Sequence, residues 1–451
     1  MTTETTKEKM KFVSFRDLVL WDVKRYASNK IKSDYPIVRL GLHIQEQSPK
    51  IKLFNSPKEE FGILGVNNKI GVFDAYKEKG ANINQAYKRI EKGWLVYNPY
   101  RVNVGSIGMR TEEHKHEFIS PAYVVFSCKE TLLPDFLYKL FKTERFNTII
   151  NESTTGSVRQ NLTIDVLKSL DIALPPIKIQ KDLLDKYYLK SKESIKLDKI
   201  AMAVEQKINP YLLEELGVRI EKNEKKKGIT FTKFSLIDRW AVDYIFNINS
   251  IQGITEAKYP AIKIRNLLLS CQYGLSSKAT EEPIGIPMLR MNNINNSELD
   301  IDDLKYITID NRQKEKILLN KGDLLFNRTN SKELVGKTAV FELDGEFTFA
   351  SYLIRLKIDT EKVNVHYLNY LFNSRIGRVQ IDMISRRILG QANVNAQELQ
   401  EFIFPIPDLE TQHLIVSNIL KIKYEANTLK QKAEQNRNEA IKEFEQAVFK
   451  L

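Results

Sequence analysis

Pro175-Pro176-Ile177-Lys178-Ile179-Gln180, followed by the run Lys181–Ile208, is the stretch whose reading decides the fold. It recurs near the C-terminus, where Pro407-Asp408-Leu409-Glu410-Thr411-Gln412 leads into a run ending at Leu451. Setting Gln180 on Gln412, 232 residues later, brings the apolar positions largely into register. Leu183, Tyr187, Leu197, Ala201, Val204 and Ile208 fall on Ile415, Ile419, Leu429, Ala433, Asn436 and Ala440. With Lys190/Ile422 and Ser194/Ala426 included, the positions step alternately by fours and threes. That is a heptad seam, which buries a narrow stripe against a partner helix. Two helices with one seam pattern in one chain are each other's obvious partner. Lys190 and Ser194 on the first copy predict looser packing there, or a position shared with another protein.

Working outward, each helix closes a module. Tyr35-Pro36-Ile37-Val38-Arg39-Leu40 opens the first, and Tyr259-Pro260-Ala261-Ile262-Lys263-Ile264 answers it in the second. Apolar and aromatic runs at Ile63–Val66, Gly93–Tyr97 and Ala122–Ser127 are separated by Asn, Gly and Pro clusters, a strand-rich pattern. Met288–Asn293 answers Ile63–Asn68, and Gly322–Asn327 answers Gly93–Asn98. Gly336 and Ser351 answer Gly105 and Ser120, and Trp240 answers Trp21. Phe12–Val23 reads as an opening helix or strand, and Phe136–Phe146 has helical spacing. Thr163 and Asn395 are the N-caps expected before short helices, Asn395 with Glu398 in a capping box. Glu214–Phe231 is a charged, solvated connector. The fold expected is α+β: two similar globular domains, 1–177 and 235–407, joined by two long antiparallel coiled-coil helices, 178–209 and 408–451, with a connector at 210–234.

The chain has 451 residues, enough for roughly two to four domains. A net charge of +12 favours a polyanionic partner. Cys128 and Cys271 lie far apart, match no metal spacing and suit a reducing compartment. Met1–Lys11 has no apolar core, and no run approaches ~18 apolar residues, so a cytoplasmic protein without membrane spans is expected.

Several stretches come near catalytic motifs without completing them. Asn98-Pro99-Tyr100 lacks the second proline of an amino-methyltransferase motif, and a turn explains it. Pro407-Asp408 with Glu410-Thr411-Gln412 lacks the lysine of a nuclease motif, and a helix start explains it. Glu113-His114-Lys115-His116-Glu117 has no second cluster to complete a metal site. No phosphate-binding Gly-x-x-x-x-Gly-Lys-Ser/Thr loop occurs. No catalytic or metal-ligating residue is therefore assigned.

The chain resembles the specificity subunit of a Type I restriction–modification system. The carriers are Gln160-Asn161-Leu162-Thr163 through Leu174-Pro175-Pro176 and Gln180 in one half. In the other they are Gly390-Gln391-Ala392-Asn393-Val394-Asn395 through Pro405-Ile406-Pro407 and Gln412. Gly322–Asn330 and Val96–Gly108 resemble target-recognition-domain segments of that family. The resemblance covers nearly the whole chain; its force lies in the combination occurring twice, each time before a long helix. It implies two target recognition domains reading a split site on double-stranded DNA. It implies that the helices act as a spacer and as part of the docking surface for methyltransferase subunits. It also implies a restriction/motor subunit, with S-adenosylmethionine, ATP and Mg on the partners and no cofactor in this chain. A first helix of about 28 residues would span ~42 Å, of the order of one DNA turn, ~34–36 Å.

Base edges in the major groove are read best by Arg on guanine and by Asn or Gln on adenine. Loop residues of that kind are Asn68, Arg101, Asn103 and Arg110 in the first module. In the second they are Arg290, Asn292, Asn293, Arg328 and Asn330, with Lys332 beside them. Arg386-Arg387 and Lys225–Lys227 read as phosphate neighbours or solvated charge. Three other readings stay open: a self-contained restriction or modification enzyme, a protein-joining scaffold without DNA binding, and a bipartite-site system of another restriction type.

Overall fold

The structure is a computed structural model that describes residues 31–100, 105–153, 161–220, 234, 242–384, 386–388 and 391–450. Phe12–Val23, Trp21, Trp240, Glu221–Gly228, Arg101 and Asn103 lie outside the described residues. The chain forms two compact units, residues 1–198 with 430–451 and residues 199–429. No described helix is long and apolar enough to cross a membrane.

In the first unit the strands are β1 (Ile37–Arg39), β2 (Ile44–Glu46), β3 (Lys50–Ile51), β4 (Glu60–Asn67), β5 (Gly71–Lys79), β6 (Tyr87–Arg89), β7 (Leu95–Tyr97), β8 (Ile107–Met109), β9 (Phe118–Ile119), β10 (Val124–Cys128) and β11 (Asp171–Ala173). The helices are α1 (Pro134–Leu140), α2 (Glu144–Ser153), α3 (Ile164–Lys168) and the long α4 (Ile177–Glu205). A four-stranded antiparallel sheet runs β2-β10-β7-β8, and a five-stranded sheet runs β3-β6-β9-β4-β5. Leu95 and Tyr97 join one apolar cluster with Phe136 and Phe141 of the helical layer, whereas Val96 joins another with Leu64 and Val72 of the second sheet. Both faces of β7 are covered, which is why it is apolar at every residue rather than alternating.

The second unit begins with the end of α4 and α5 (Ile208–Leu216), then α6 (Val242–Thr255). Its strands are β12 (Ala261–Lys263), β13 (Leu268–Tyr273), β14 (Ile286–Leu289), β15 (Ile294–Asn295), β16 (Glu298–Leu299), β17 (Lys305–Ile307), β18 (Leu324–Asn327), β19 (Thr329–Asn330), β20 (Thr338–Val340), β21 (Thr348–Phe349), β22 (Leu353–Ile358), β23 (Arg386–Ile388), β24 (Gln391–Asn393) and β25 (Ile403–Pro405). Its helices continue with α7 (Asn311–Ile317), α8 (Val365–Asn373), α9 (Arg375–Ile384), α10 (Ala396–Gln400) and the long α11 (Leu409–Val448), which closes the chain. The central sheet runs β13-β22-β18-β20, the same order as β2-β10-β7-β8 in the first unit. Leu324 and Phe326 face one cluster and Leu325 another, as Leu95, Tyr97 and Val96 do. The pair β12–β25 repeats β1–β11, and the parallel pair β14–β21 repeats β4–β9.

Both expected N-caps form. Thr163 Oγ1 accepts from the Val166 N–H, and Asn395 and Glu398 make the full capping box. Gln180 and Gln412 make the same clamp at each helix start. Gln180 accepts from Leu133 N at 2.9 Å and donates to Pro175 O at 2.8 Å and Thr131 O at 3.0 Å. Gln412 accepts from Asn364 N at 2.7 Å and donates to Pro407 O at 2.8 Å. Both glutamines are fully buried, so these bonds satisfy groups that water cannot reach.

The long helices pack together antiparallel. In the first unit Tyr187 meets Phe444 with ring centroids 6.4 Å apart, Lys190 pairs with Glu439 and Glu443, and Asp198 binds Arg437 at 2.6 Å. In the second, Asn418 of α11 donates to Tyr211 of α5 at 3.0 Å. Ala201, Val204, Ile415, Ile419 and Ala433 are buried, and Leu183, Tyr187, Leu197, Ile208, Ile422 and Leu429 are half-buried. Fully buried positions recur every seven residues, at Gln412, Ile419, Ala426 and Ala433.

Four expectations need correction. The first helix breaks at Gln206-Lys207, so Ile208 opens a separate helix instead of ending the long one. The charged connector placed at 210–234 starts later: Leu212 and Leu216 of α5 are fully buried in the second unit's core, and Gly217 ends the helix in the left-handed region. Ser194 is fully buried and Lys190 has its acidic partners within the unit, so that part of the seam is filled. Phe136–Phe146 spans two helices, because Thr143 breaks the run and its Oγ1 donates back to Leu140 O at 2.7 Å.

Candidate nucleic-acid interface

At one end of each central sheet, a strand stops, a loop follows, and a glycine with positive φ turns the chain back. In the first unit β7 gives way to the loop ending at Gly105, φ +80°; in the second β18 gives way to the loop ending at Gly336, φ +88°. The loops start alike, with Asn98 N donating to Ser106 O and Asn327 N to Lys337 O. Beside each glycine sits the tip of a hairpin. In the first unit it is Asn67–Ile70, held by Asn67 Oδ1 accepting from the Lys69 and Ile70 N–H groups. In the second it is Asn296-Ser297, both in the left-handed region at φ 48° and 66°. Asn296, Ser297, Gly336, Lys337 and Arg378 line a cleft of about 300 Å³.

This end of the second unit carries Arg328, Asn330 and Lys332, all half-buried. The Arg328 main chain is fixed twice, its N–H donating to Tyr352 O and its carbonyl accepting from Val394 N, both at 3.0 Å. Its guanidinium lies 4.9 Å from the Tyr273 ring centroid. Nε and Nη1 reach Val394 O and Ser351 O at 3.4 Å each. Asn330 pairs with Ala392 in the small sheet β19-β24-β23, and its side chain accepts from Ser331 N. In the first unit Asn68 is exposed at the hairpin tip, and a Cβ at Gly105 would stand 3.8 Å from its own.

Other expected readers are spent elsewhere. Arg110 is buried and donates from Nη1 to Ile90 O at 2.5 Å, so it braces the loop before β7. Asn293 is 1% exposed: its Oδ1 accepts from Arg290 N, and its Nδ2 donates to Asp300 O and Asp303 O. These two are structural residues, and their polarity serves backbone carbonyls. Arg290 is bound to Asp303 through Nη2 at 2.9 Å, which neutralises much of its pull on a phosphate. Asn292 is exposed beside it.

Sequence reasoning passed over two features. One is the Asn295-Asn296-Ser297 turn; Ile294-Asn295 and Glu298-Leu299 around it carry a hairpin signal that could have found it. The other is Tyr273, whose approach to Arg328 joins residues far apart in sequence, so no local pattern marks it.

The histidines of the Glu113–Glu117 stretch serve the fold. His114 contacts Val72 O and Thr111, and His116 contacts Ile63 O, so both rings are engaged with the fold. Burial works to raise the Asp74 carboxyl, but the His116 and Lys115 N–H groups hold it below its ordinary value. No group of three His, Cys, Asp or Glu residues fit for a metal ion occurs among the described residues. Burial pushes the Cys128 thiol up to about 12 and the Cys271 thiol up to about 11, so neither is a ready nucleophile.

Residues 268–439 match the family described as the Type I restriction modification DNA specificity domain. Over 156 residues, 34% of this chain, the sequence is 31% identical to the MjaX type I restriction enzyme specificity subunit of Methanocaldococcus jannaschii, covering 36% of that protein. Over 174 residues, 38% of this chain, it is 24% identical to the EcoKI specificity subunit of Escherichia coli strain K12, covering 37% of it. The matched stretch thus spans little more than a third of these relatives' length. The solved HsdS subunit from Thermoanaerobacter tengcongensis aligns over 94% of this chain and 98% of its own at 14% identity, with a TM-score of 0.37. Residues 268–439, which include the central sheet of the second copy of the duplicated scaffold, are thus similar to the DNA specificity domain of Type I restriction–modification systems.

Proposed function

We propose that the chain is the DNA-specificity subunit of such a system, reading a bipartite site on double-stranded DNA and doing no chemistry itself. The observation that carries this reading is one scaffold built twice, with different polar residues at the same exposed end of each copy. A protein that reads two unlike half-sites needs that arrangement: positioning by a common frame, specificity by the tips. Asn68 in the first unit, and Asn292, Arg328, Asn330 and Lys332 in the second, are the described contacts we assign to DNA. The net charge of +12 supplies the long-range attraction to phosphate. The helix pair is assigned the spacer role and part of the docking surface for methyltransferase subunits. Those partners bring S-adenosylmethionine and flip the adenine out of the stack to methylate it. A restriction/motor subunit adds ATP- and Mg-dependent cleavage.

Mapping methylated adenines in the host genome tests the reading, since a split motif is expected, and deleting this gene should erase it. A gel shift on duplexes carrying the motif, with methyltransferase present, is the direct check. Absence of affinity for any duplex would leave a protein-joining scaffold. Methylation by the purified chain alone would make it an enzyme.

A further inference from the structure

At the second unit's recognition end, Arg328 has both its backbone and its side chain fixed. Its two side-chain hydrogen bonds are long, 3.4 Å each, and Nη2 has no partner among the described residues. They orient the guanidinium without using up its fork. The remaining restraint is the Tyr273 ring, 4.9 Å from the guanidinium carbon, within the range where a cation is drawn to a ring face. Tyr273 is itself anchored: its hydroxyl accepts from Ala396 N, the first residue of α10, at 2.8 Å. Its place at the end of β13, beside β22, brings the ring to the edge where the β18 loop departs. Tyr273 and the neighbouring Tyr352 are 42% and 49% exposed, so this edge faces solvent.

An arginine reads guanine through two parallel N–H donors, which demands a fixed plane. A flexible arginine would lose that order on binding; a ring beneath it sets the order beforehand. We propose that Tyr273 is the positioning residue of the second recognition surface, holding the Arg328 guanidinium in the orientation that reads a guanine of that half-site. The inference rests on the function proposed above. In the first unit Pro99 follows Asn98 where Arg328 follows Asn327, so the described residues hold no counterpart at that position. The half-site read by the first unit is therefore an internal control.

The test uses the complex with its methyltransferase partner and duplexes carrying the mapped motif, each base of each half-site replaced in turn. Arg328→Ala should weaken binding by roughly 5- to 150-fold and abolish the preference for guanine at one position. Tyr273→Ala should relax that same position with a smaller loss, about three- to tenfold, and add nothing in the Arg328→Ala background. Tyr273→Phe keeps the ring and should restore the base preference. The proposal is overturned if Tyr273→Ala retains the wild-type preference, or if Tyr273→Phe loses as much, because the hydroxyl's hold on α10 then matters instead of the ring. It is also overturned if both half-sites weaken together, or if Arg328→Ala changes nothing. Failure of the wild-type complex to bind any duplex would sink the functional reading itself.

Discussion

The two units share a frame and part company at its edges. Each has a four-stranded sheet of one strand order, a parallel strand pair, a short capped helix and a buried glutamine clamp. Yet the second sheet has five strands in the first unit and three in the second, and the hairpin tips are built differently. The frame is held by apolar faces and backbone pairing, which tolerate exchange of similar side chains. The edges carry exposed polar residues whose identity the frame does not constrain. A duplicated protein can therefore change what each half contacts without changing how it folds.

The largest expected break in this symmetry is at the paired glycines. A Cβ at Gly336 would stand 2.1 Å from Ile381 Cδ1, whereas at Gly105 the nearest atom is 3.8 Å away. Left-handed backbone alone costs a non-glycine residue about 1–2 kcal/mol, and overpacking adds about 1–3. Gly336→Ala should thus destabilise its unit by about 2–5 kcal/mol, and Gly105→Ala by only about 1–2. Hydrogen exchange read peptide by peptide separates the units and would show equal losses if the frames were equally packed.

Next come the clamps, where symmetry should hold. Gln180→Ala and Gln412→Ala each strand a half-buried N–H, at Leu133 and Asn364 respectively. Each should cost about 1–3 kcal/mol, with protection lost first around the helix start. A large loss in one copy and none in the other would deny that the clamps are equivalent.

A smaller effect concerns the thiols. Cys128 titrates near 9.0 when exposed and near 12 in the fold, because burial disfavours the thiolate. Its protonated form is the one the fold favours, so this contribution is complete below pH 9 and lost as pH climbs from about 9 towards about 12. Cys271 should follow over a narrower window, since its thiol is raised from 9.0 only to about 11. Alkylation of the native protein at pH 8 should be slow at both, and rapid labelling of either would contradict the burial.

The smallest effect belongs to the helix surface. Lys190 meets Glu439 and Glu443 at a solvated edge, where exchange with water offsets attraction. Glu443→Gln should leave the melting temperature unchanged within error, and a clear drop would mean the pair is an essential part of the seam.

What the sequence determined was whatever depends on near neighbours along the chain. The heptad spacing, the Thr163 and Asn395 caps and the short apolar strand runs were legible because period, capping and apolar clustering follow from local residue order. The reading faltered where helices end without punctuation, as at Gln206-Lys207, where no Gly or Pro marks the break. Only the tertiary structure decided which polar residues face outward. Arg110 and Arg328 look alike in sequence, but one is buried against Ile90 O and the other rests at an exposed edge beside Tyr273. A polar side chain will serve either water or a distant carbonyl, and which of these it meets is set by segments that folding brings together.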